Sequence, residues 1–317
     1  MGGARAVQMV VQARIIKFLL FIRQSDSDTQ ALHSVCRAGQ ARALAAALTD
    51  SLWLAGEGVS ATVTLVTEDY CITPQLDYKL DDFTERLQLF TFHKKDDVER
   101  FILQHLQCFT DEDSHGVILF LYSIICSRTV DRLKEDLDSS TSPLLSPSPG
   151  NFLCHQALLN LLLTGRATPH VFNGTLSCGE DGRPLQRPLQ GILSRSDVGY
   201  LHWSHEQMER GRLPQVGSRL KTPLFPVWLC CINRNFSVAF SLKRSLLSDW
   251  RTEHLFQLFY CGGRWSPRTT ARLTIDTRSN RWGASGEQET SSRPLDMTIR
   301  TKWAGAAVDW SGTAPFY

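Results

Sequence analysis

The apolar residues of this chain are spaced differently in its two halves, and this change constrains the fold more than any other feature. Near the start they recur at steps of three and four, which predicts an amphipathic helix over Ala6 to Phe21. In the second half, short apolar runs alternate with polar turns, a pattern typical of strands. A helix-rich first half and a strand-rich second half predict the α+β class.

The remaining elements of the first half follow from propensity and turn residues. High alanine and leucine content predicts a helix over Ala38 to Leu54. Alternating β-branched residues predict a strand over Ala61 to Val66. Further helices are predicted over Asp96 to Phe109 and over Cys154 to Leu163, the latter ended by Gly165.

Two segments are less regular. The apolar run 116–125 is either a buried strand or a buried helix, because periodicity alone does not separate the two. Residues 138–150 are rich in serine and proline and are therefore predicted to form an irregular surface loop.

In the second half, the polar tip Asn233-Arg234-Asn235 separates two apolar runs, Pro226 to Ile232 and Phe236 to Leu242. This arrangement predicts a hairpin or a pair of neighbouring strands. Further strands are predicted over Leu255 to Tyr260, Arg272 to Asp276 and Leu295 to Thr301.

The composition excludes several functional classes. With 317 residues, the chain can bury the core of one large domain, 1–317. A net charge of +2 without a long basic block argues against a nucleic-acid partner. Nine cysteines without a C-x-x-C pair argue against both a disulfide framework and a zinc site, and favour a reducing compartment, cytoplasmic or nuclear. Polar residues interrupt the apolar N-terminal stretch, so neither a signal peptide nor a membrane span is expected.

Seven segments, in order along nearly the whole chain, resemble one protein family. They are Leu161–Ala167, Val171–Asn173, Ser194–Gly199, Leu220–Trp228, Asp249–Glu253, Leu273–Thr277 and Ile299–Trp303. Together they resemble the MINDY cysteine deubiquitinases, in the branch of the third and fourth members, and most of all an inactive type within that branch.

The resemblance implies a papain-related α+β cysteine-protease fold that cleaves lysine-48-linked polyubiquitin, with ubiquitin as the partner and without a cofactor or metal. The family places its nucleophilic cysteine in a Gly-Gly-Pro-Cys-Gly motif at the start of the first core helix. A histidine that opens a later strand, before Phe-Ser, serves as the base. The family also has a glutamine upstream of the nucleophile motif, so the resemblance suggests that this chain lacks an N-terminal lead-in.

Both catalytic positions carry different residues here. In Gly2-Gly3-Ala4-Arg5-Ala6 the cysteine position is occupied by Arg5, and a guanidinium cannot attack a carbonyl carbon. No Cys, Ser or Thr occurs between Met1 and Gln24, so a shift of register offers no replacement. The histidine position is occupied by Asn235, whose amide does not accept a proton at neutral pH.

Two other pairs of residues suggest chemistry. His202-x-x-His205 carries two metal-ligand side chains, but no third ligand is near in sequence, so a polar loop pair is favoured. Cys154 precedes His155, yet adjacent residues on a helix point apart, which favours a core cysteine. The segment Asp249–Glu253 could bind a partner through Trp250 and Arg251, but Asp249 is equally a helix cap with Trp250 packed inward, and the inward packing is favoured.

Three functional hypotheses follow. The first is a pseudo-deubiquitinase that binds ubiquitin or lysine-48-linked chains without hydrolysis. The second is an active deubiquitinase that uses another cysteine. The third is an interaction module with a partner unrelated to ubiquitin, and the sequence does not separate it from the first.

Overall fold

The computed structural model of the protein describes residues 3–23, 35–70, 81–112, 114–137, 143–149, 151–179, 182–262, 270–278 and 293–311. Its α-helices are α1 (Gly3–Lys17), α2 (Arg37–Ala55), α3 (Lys95–Gln104), α4 (Gln107–Thr110), α5 (Gly116–Arg128), α6 (Val130–Asp136), α7 (Gln156–Thr164), α8 (His205–Glu209), α9 (Ser218–Lys221) and α10 (Pro294–Arg300). A π-helical turn, Phe18–Ile22, extends α1.

The strands fall mainly in the second half of the chain. They are β1 (Ala61–Val66), β2 (Leu87–Phe92), β3 (Leu145–Ser148), β4 (Asn151–Cys154), β5 (Thr175–Cys178), β6 (Pro184–Gln190), β7 (Gly199–Trp203), β8 (Val227–Ile232), β9 (Asn235–Phe240), β10 (Leu255–Cys261), β11 (Thr270–Asp276) and β12 (Ala307–Asp309). Mixed helix and sheet in this order agree with the predicted α+β class.

A six-stranded sheet in the order β12-β11-β10-β9-β8-β7 forms the centre of the described structure. All neighbouring strands are antiparallel except β7 and β8, which are parallel. Both faces of β8 are covered, so every one of its residues is buried. Alternate residues of β8 enter two separate hydrophobic clusters, Leu229 on the face of α1 and Trp228 on the face of α10.

Helix α1 packs across the first of these faces, against β8, β9 and β4. Its contact residues Ala6, Val10 and Ala13 are fully buried. Because two of these side chains are only methyl groups, the helix approaches the sheet closely.

The periodicity predictions for the first half are confirmed. The helix predicted over Ala6 to Phe21 matches α1 and its π-helical turn, and the strand Ala61 to Val66 matches β1. Gly165 ends α7 in the left-handed conformation with φ 78°. The helix predicted over Asp96 to Phe109 is divided into α3 and α4.

The ambiguous run 116–125 is a helix, α5. The hydroxyls of Ser123 and Ser127, four residues apart, accept hydrogen bonds from the backbone N–H groups of Thr64 and Thr62 in β1, at 2.8 and 2.9 Å. Helical spacing is what brings both serines to one strand edge, so tertiary contacts decide the conformation that periodicity left open.

The strand predicted over Leu295 to Thr301 is wrong, because this segment forms α10. Pro294 occupies the start of the helix, where its missing N–H costs nothing and its fixed φ suits the first turn. Leu295 and Ile299, one helical turn apart, are both buried against the sheet.

Two smaller expectations are also corrected. In the described part of the segment 138–150, predicted to be irregular, Leu145–Ser148 forms β3 and pairs with β4. Pro147 is tolerated there because a two-stranded ribbon has only edge strands.

Asp249 does cap its helical turn, but Trp250 is 66% exposed rather than packed inward. Trp303 and Trp310 are buried. No described helix is long and apolar enough to span a bilayer.

A buried ion pair ties α5 to α6. The Arg128 guanidinium donates two hydrogen bonds to the Asp136 carboxylate, each 2.8 Å long, and both side chains are almost fully buried. The same carboxylate accepts the backbone N–H of Ala167 at 2.9 Å, which joins the residues after α7 to this pair.

We expect Asp136→Ala to lower the free energy of unfolding by about 3–5 kcal/mol, because it leaves the Arg128 charge buried without its main partner. Asp97→Ala, which removes an exposed ion pair with Arg100, is the matched control and should cost about 1 kcal/mol or less. Urea denaturation measures both. Equal losses in the two variants would contradict this assignment.

Candidate active site at the start of the first helix

The first turn of α1 lies against β4, and a glycine is needed at this contact. A Cβ atom built on Gly3 would stand 1.9 Å from the carbonyl oxygen of Phe152. Since this oxygen belongs to the backbone, a side chain at position 3 would force the helix away from β4. The glycine therefore fixes how closely the helix start approaches its neighbours.

Arg5 projects from this first turn and is exposed. Its Nε donates to the carbonyl oxygen of Phe236 at 3.3 Å, and its Nη2 donates to the carbonyl oxygen of Gly262. Phe236 lies in β9 and Gly262 directly follows β10, so the side chain links the helix to two adjacent strands.

Asn235 is the exposed first residue of β9 and pairs with Ile232 across the hairpin. The turn before it places Asn233 and Arg234 at positive φ, 48° and 66°. Because Phe236 follows Asn235 directly, Arg5 contacts the backbone beside it. The structure thus brings together the two positions that the family resemblance pairs as nucleophile and base.

These two side chains provide a fixed positive charge and a neutral amide. Among the described residues, no carboxylate forms an ion pair with Arg5, so only two carbonyl dipoles offset its charge. Neither group can act as a nucleophile or take up a proton at neutral pH. Arg5 and Asn235 themselves therefore supply neither the nucleophile nor the base of acyl transfer.

Among the cysteines that the structure describes, Cys154 contacts the start of α1. Its Sγ donates a hydrogen bond to the carbonyl oxygen of Gly3, with 3.3 Å between the atoms. Burial raises the pKa of the Cys154 thiol to about 12, so almost no thiolate is present at neutral pH. The neighbouring His155 uses its Nε2 to bond the Ser146 hydroxyl at 2.6 Å. The two residues do not act as a catalytic pair.

Two further cysteines, in β8, are equally unsuited to catalysis. Burial raises the pKa of Cys230 to about 12 and the pKa of Cys231 to about 11. Cys36 and Cys178, in contrast, are exposed.

The histidines of the segment 202–205 have other partners. Both ring nitrogens of His202 lie within hydrogen-bonding distance of side-chain oxygens, 3.1 Å from Tyr200 Oη and 2.7 Å from Gln207 Oε1. The exposed His205 lies 3.4 Å from the Glu209 carboxylate. Within the described ranges, no three side chains of metal-ligand type come together.

We expect iodoacetamide at pH 7.5 to alkylate Cys36 and Cys178 well before Cys154, Cys230 and Cys231. The latter three thiols are half-buried or buried, so their pKa values are raised and little thiolate is present. Peptide mass spectrometry over a time course measures the order. Preferential early labelling of Cys154 would contradict it and would point to a reactive thiol beside α1.

Comparison with known proteins finds relatives that match nearly the whole chain. A family model described as "Deubiquitinating enzyme MINDY-3/4, conserved domain" matches residues 1–312. The chain is 37% identical to the probable ubiquitin carboxyl-terminal hydrolase MINDY-4 of Homo sapiens and 36% identical to that of Xenopus tropicalis. Each alignment covers 99% of this chain and 40% of the relative. The ubiquitin carboxyl-terminal hydrolase MINDY-3 of Bos taurus is 29% identical over 78% of this chain and 57% of the relative.

The chain therefore belongs to the MINDY-3/4 family of deubiquitinating enzymes. Within that family it is more similar to the MINDY-4 proteins named above than to the bovine MINDY-3. It spans about two-fifths of the length of those MINDY-4 relatives. No solved structure gives a significant match.

Proposed function

We propose that this chain is an inactive ubiquitin carboxyl-terminal hydrolase, a pseudo-deubiquitinase that keeps a papain-related fold and a ubiquitin-binding face without hydrolysis. The observation that carries the proposal is the position of Arg5. It stands in the first turn of α1, beside the start of β9, where the family resemblance assigns the nucleophilic cysteine. Asn235, at the assigned histidine position, begins the same strand.

The electrostatics of the helix start support this proposal. The free N–H groups and dipole of a helix N-terminus lower the pKa of a cysteine placed there, which is how such a position activates a thiolate. A guanidinium at this position is positively charged, so the positive end of the same helix dipole disfavours it. Its charge is accommodated by the carbonyl oxygens of Phe236 and Gly262 instead. These two hydrogen bonds thus hold the Arg5 side chain in place without a catalytic role.

The partner we propose is ubiquitin, and within it lysine-48-linked polyubiquitin, in the cytoplasm or nucleus. The relatives are named ubiquitin carboxyl-terminal hydrolases, and the match extends over nearly the whole of this chain. A face that binds ubiquitin extends well beyond two catalytic side chains, since specific interfaces bury roughly 800 Å² on each partner. Ubiquitin binding can therefore persist after the loss of the catalytic cysteine and histidine.

An active enzyme that uses a different cysteine is the alternative, and the geometry of Cys154 bears on it. This thiol contacts the helix start, but burial raises its pKa and its neighbouring histidine is bonded to Ser146. A nucleophile needs a thiolate and an adjacent base, and Cys154 has neither. The pseudoenzyme is therefore the better supported of the two.

The test combines turnover and binding. Purified protein incubated with lysine-48-linked tetraubiquitin should release no monoubiquitin over hours, while an active deubiquitinase in a parallel reaction releases it. Titration calorimetry with the same tetraubiquitin should show saturable binding. Release of monoubiquitin by the wild-type chain would overturn the inactive state, and the absence of binding would favour an interaction module with an unrelated partner.

A further inference from the structure

A second site lies at the opposite end of α1 from Arg5. A cavity of about 440 Å³ opens between the ends of α2 and α7, the start of α3 and the loop before β7. Arg14 of α1 forms part of its wall, about 14 Å along the helix axis from Arg5. Two segments that carry the family resemblance, Leu161–Ala167 and Ser194–Gly199, border the cavity.

Two carboxylates on the cavity wall are already neutralised. Lys17 Nζ lies 2.6 Å from Asp50 Oδ2 and 2.8 Å from Asp197 Oδ2, and its side chain is 4% exposed. Lys95 Nζ lies 2.6 Å from Asp50 Oδ1. These cations and Arg14 lower the pKa of Asp50, although burial acts to raise it, so this carboxylate is ionised at neutral pH. Arg14 Nη1 also lies 4.0 Å from Asp197 Oδ2, so these two acids are shared among three cations.

The third acidic residue of the cavity wall, Glu57, is also shared among several cations. The Glu57 carboxylate lies 2.6 Å from Arg128, 3.6 Å from Arg132 and 3.5 Å from Arg166. Arg195 has no acidic partner among the described residues, because its guanidinium donates to the carbonyl oxygens of Thr222 and Pro223.

Cations therefore exceed acids around the cavity. Four cationic side chains line the cavity, Arg14, Lys95, Arg166 and Arg195, and Lys17 lies behind the wall, paired with two of its acids. These five cations stand against three acids, Asp50, Asp197 and Glu57. The C-terminal ends of α2 and α7 add about half a negative charge each, which offsets only one of the two excess charges. A net positive charge remains at a partly enclosed site.

Arg14 supplies an independent sign of a missing partner. Its side chain is 1% exposed, and its Nη2 donates to the carbonyl oxygens of Leu162 and Leu163 at 2.9 and 3.4 Å. Its Nε–H, however, has no hydrogen-bond partner in the described structure. A buried donor without an acceptor is unfavourable, and an anion in the cavity or a water bound to it would satisfy it.

The size and the wall composition indicate what kind of anion fits. The cavity falls in the range of roughly 300–1,000 Å³ that is usual for small-molecule sites and is much larger than an inorganic ion needs. Trp53 and Leu54 add aromatic and apolar surface beside the charged groups. We propose that this cavity binds a small organic anion, with a phosphate or carboxylate group held by Arg166, Lys95 and Arg14 and an apolar body against Trp53.

Titration calorimetry on the full chain tests the proposal with phenyl phosphate, phthalate and benzyl alcohol at matched ionic strength. The first two probes distinguish phosphate from carboxylate as the preferred group, and the third is the uncharged control. We expect saturable binding of at least one anion and none of benzyl alcohol. Arg166→Gln and Lys95→Gln, both of partly exposed side chains, should each weaken the binding about tenfold, the value of a charge-assisted hydrogen bond at a site open to solvent.

Arg210→Gln is the matched control, since Arg210 is an exposed arginine paired with Glu206 away from the cavity, and it should leave the affinity unchanged. Circular dichroism of each variant establishes that it is folded. The proposal is overturned if neither anion binds, if benzyl alcohol binds equally well, or if folded Arg166→Gln and Lys95→Gln proteins retain wild-type affinity. Because ubiquitin is absent from these titrations, their outcome is independent of the proposed function.

Discussion

The close packing of α1 against the central sheet is the constraint on which the rest of the structure depends. Ala6 and Ala13 let the helix axis approach β8 and β9, and Gly3 lets its first turn meet the backbone of Phe152. Once the helix is held this way, the side chain at position 5 must lie beside β9. The fold therefore fixes the location of the site, while the residue type at that location decides which chemistry is possible.

The two ends of α1 carry different kinds of positive charge. At the start, Arg5 is exposed, and in the described part of the chain its hydrogen bonds go to backbone carbonyl groups. Near the end, Arg14 and Lys17 are buried, and Lys17 bridges Asp50 and Asp197. Removing one partner from such a buried group costs about 3–5 kcal/mol, so the far end contributes to holding α1 in place. A substitution of the exposed Arg5 breaks no buried ion pair among the described residues, so it should cost much less.

Much of the fold follows from the sequence, and the exceptions have local causes. Periodicity predicts α1, alanine and leucine content predicts α2, and two apolar runs around a polar tip predict the β8–β9 hairpin. The sequence pattern fails at Leu295 to Thr301, where Pro294 starts a helix. It leaves α5 open, because that segment is determined by hydrogen bonds that backbone N–H groups of β1 donate to Ser123 and Ser127. Arg5 and Asn235 can be predicted as site positions only through motifs that resemble a family. The cavity was not predicted, because Arg14, Glu57, Arg166 and Asp197 come from distant parts of the chain.

We propose that Arg5 and Asn235 occupy the positions that hold a nucleophile and its base in the related enzymes. Labelling by ubiquitin carrying a C-terminal propargylamide tests it most directly, with the wild-type chain, Arg5→Cys, and Arg5→Cys combined with Asn235→His compared by mass spectrometry. Wild-type protein should form no adduct, and the double variant should be labelled faster than the single one, because the imidazole favours the thiolate. An adduct on any wild-type cysteine, or a folded double variant that binds ubiquitin but remains unlabelled, would contradict the account.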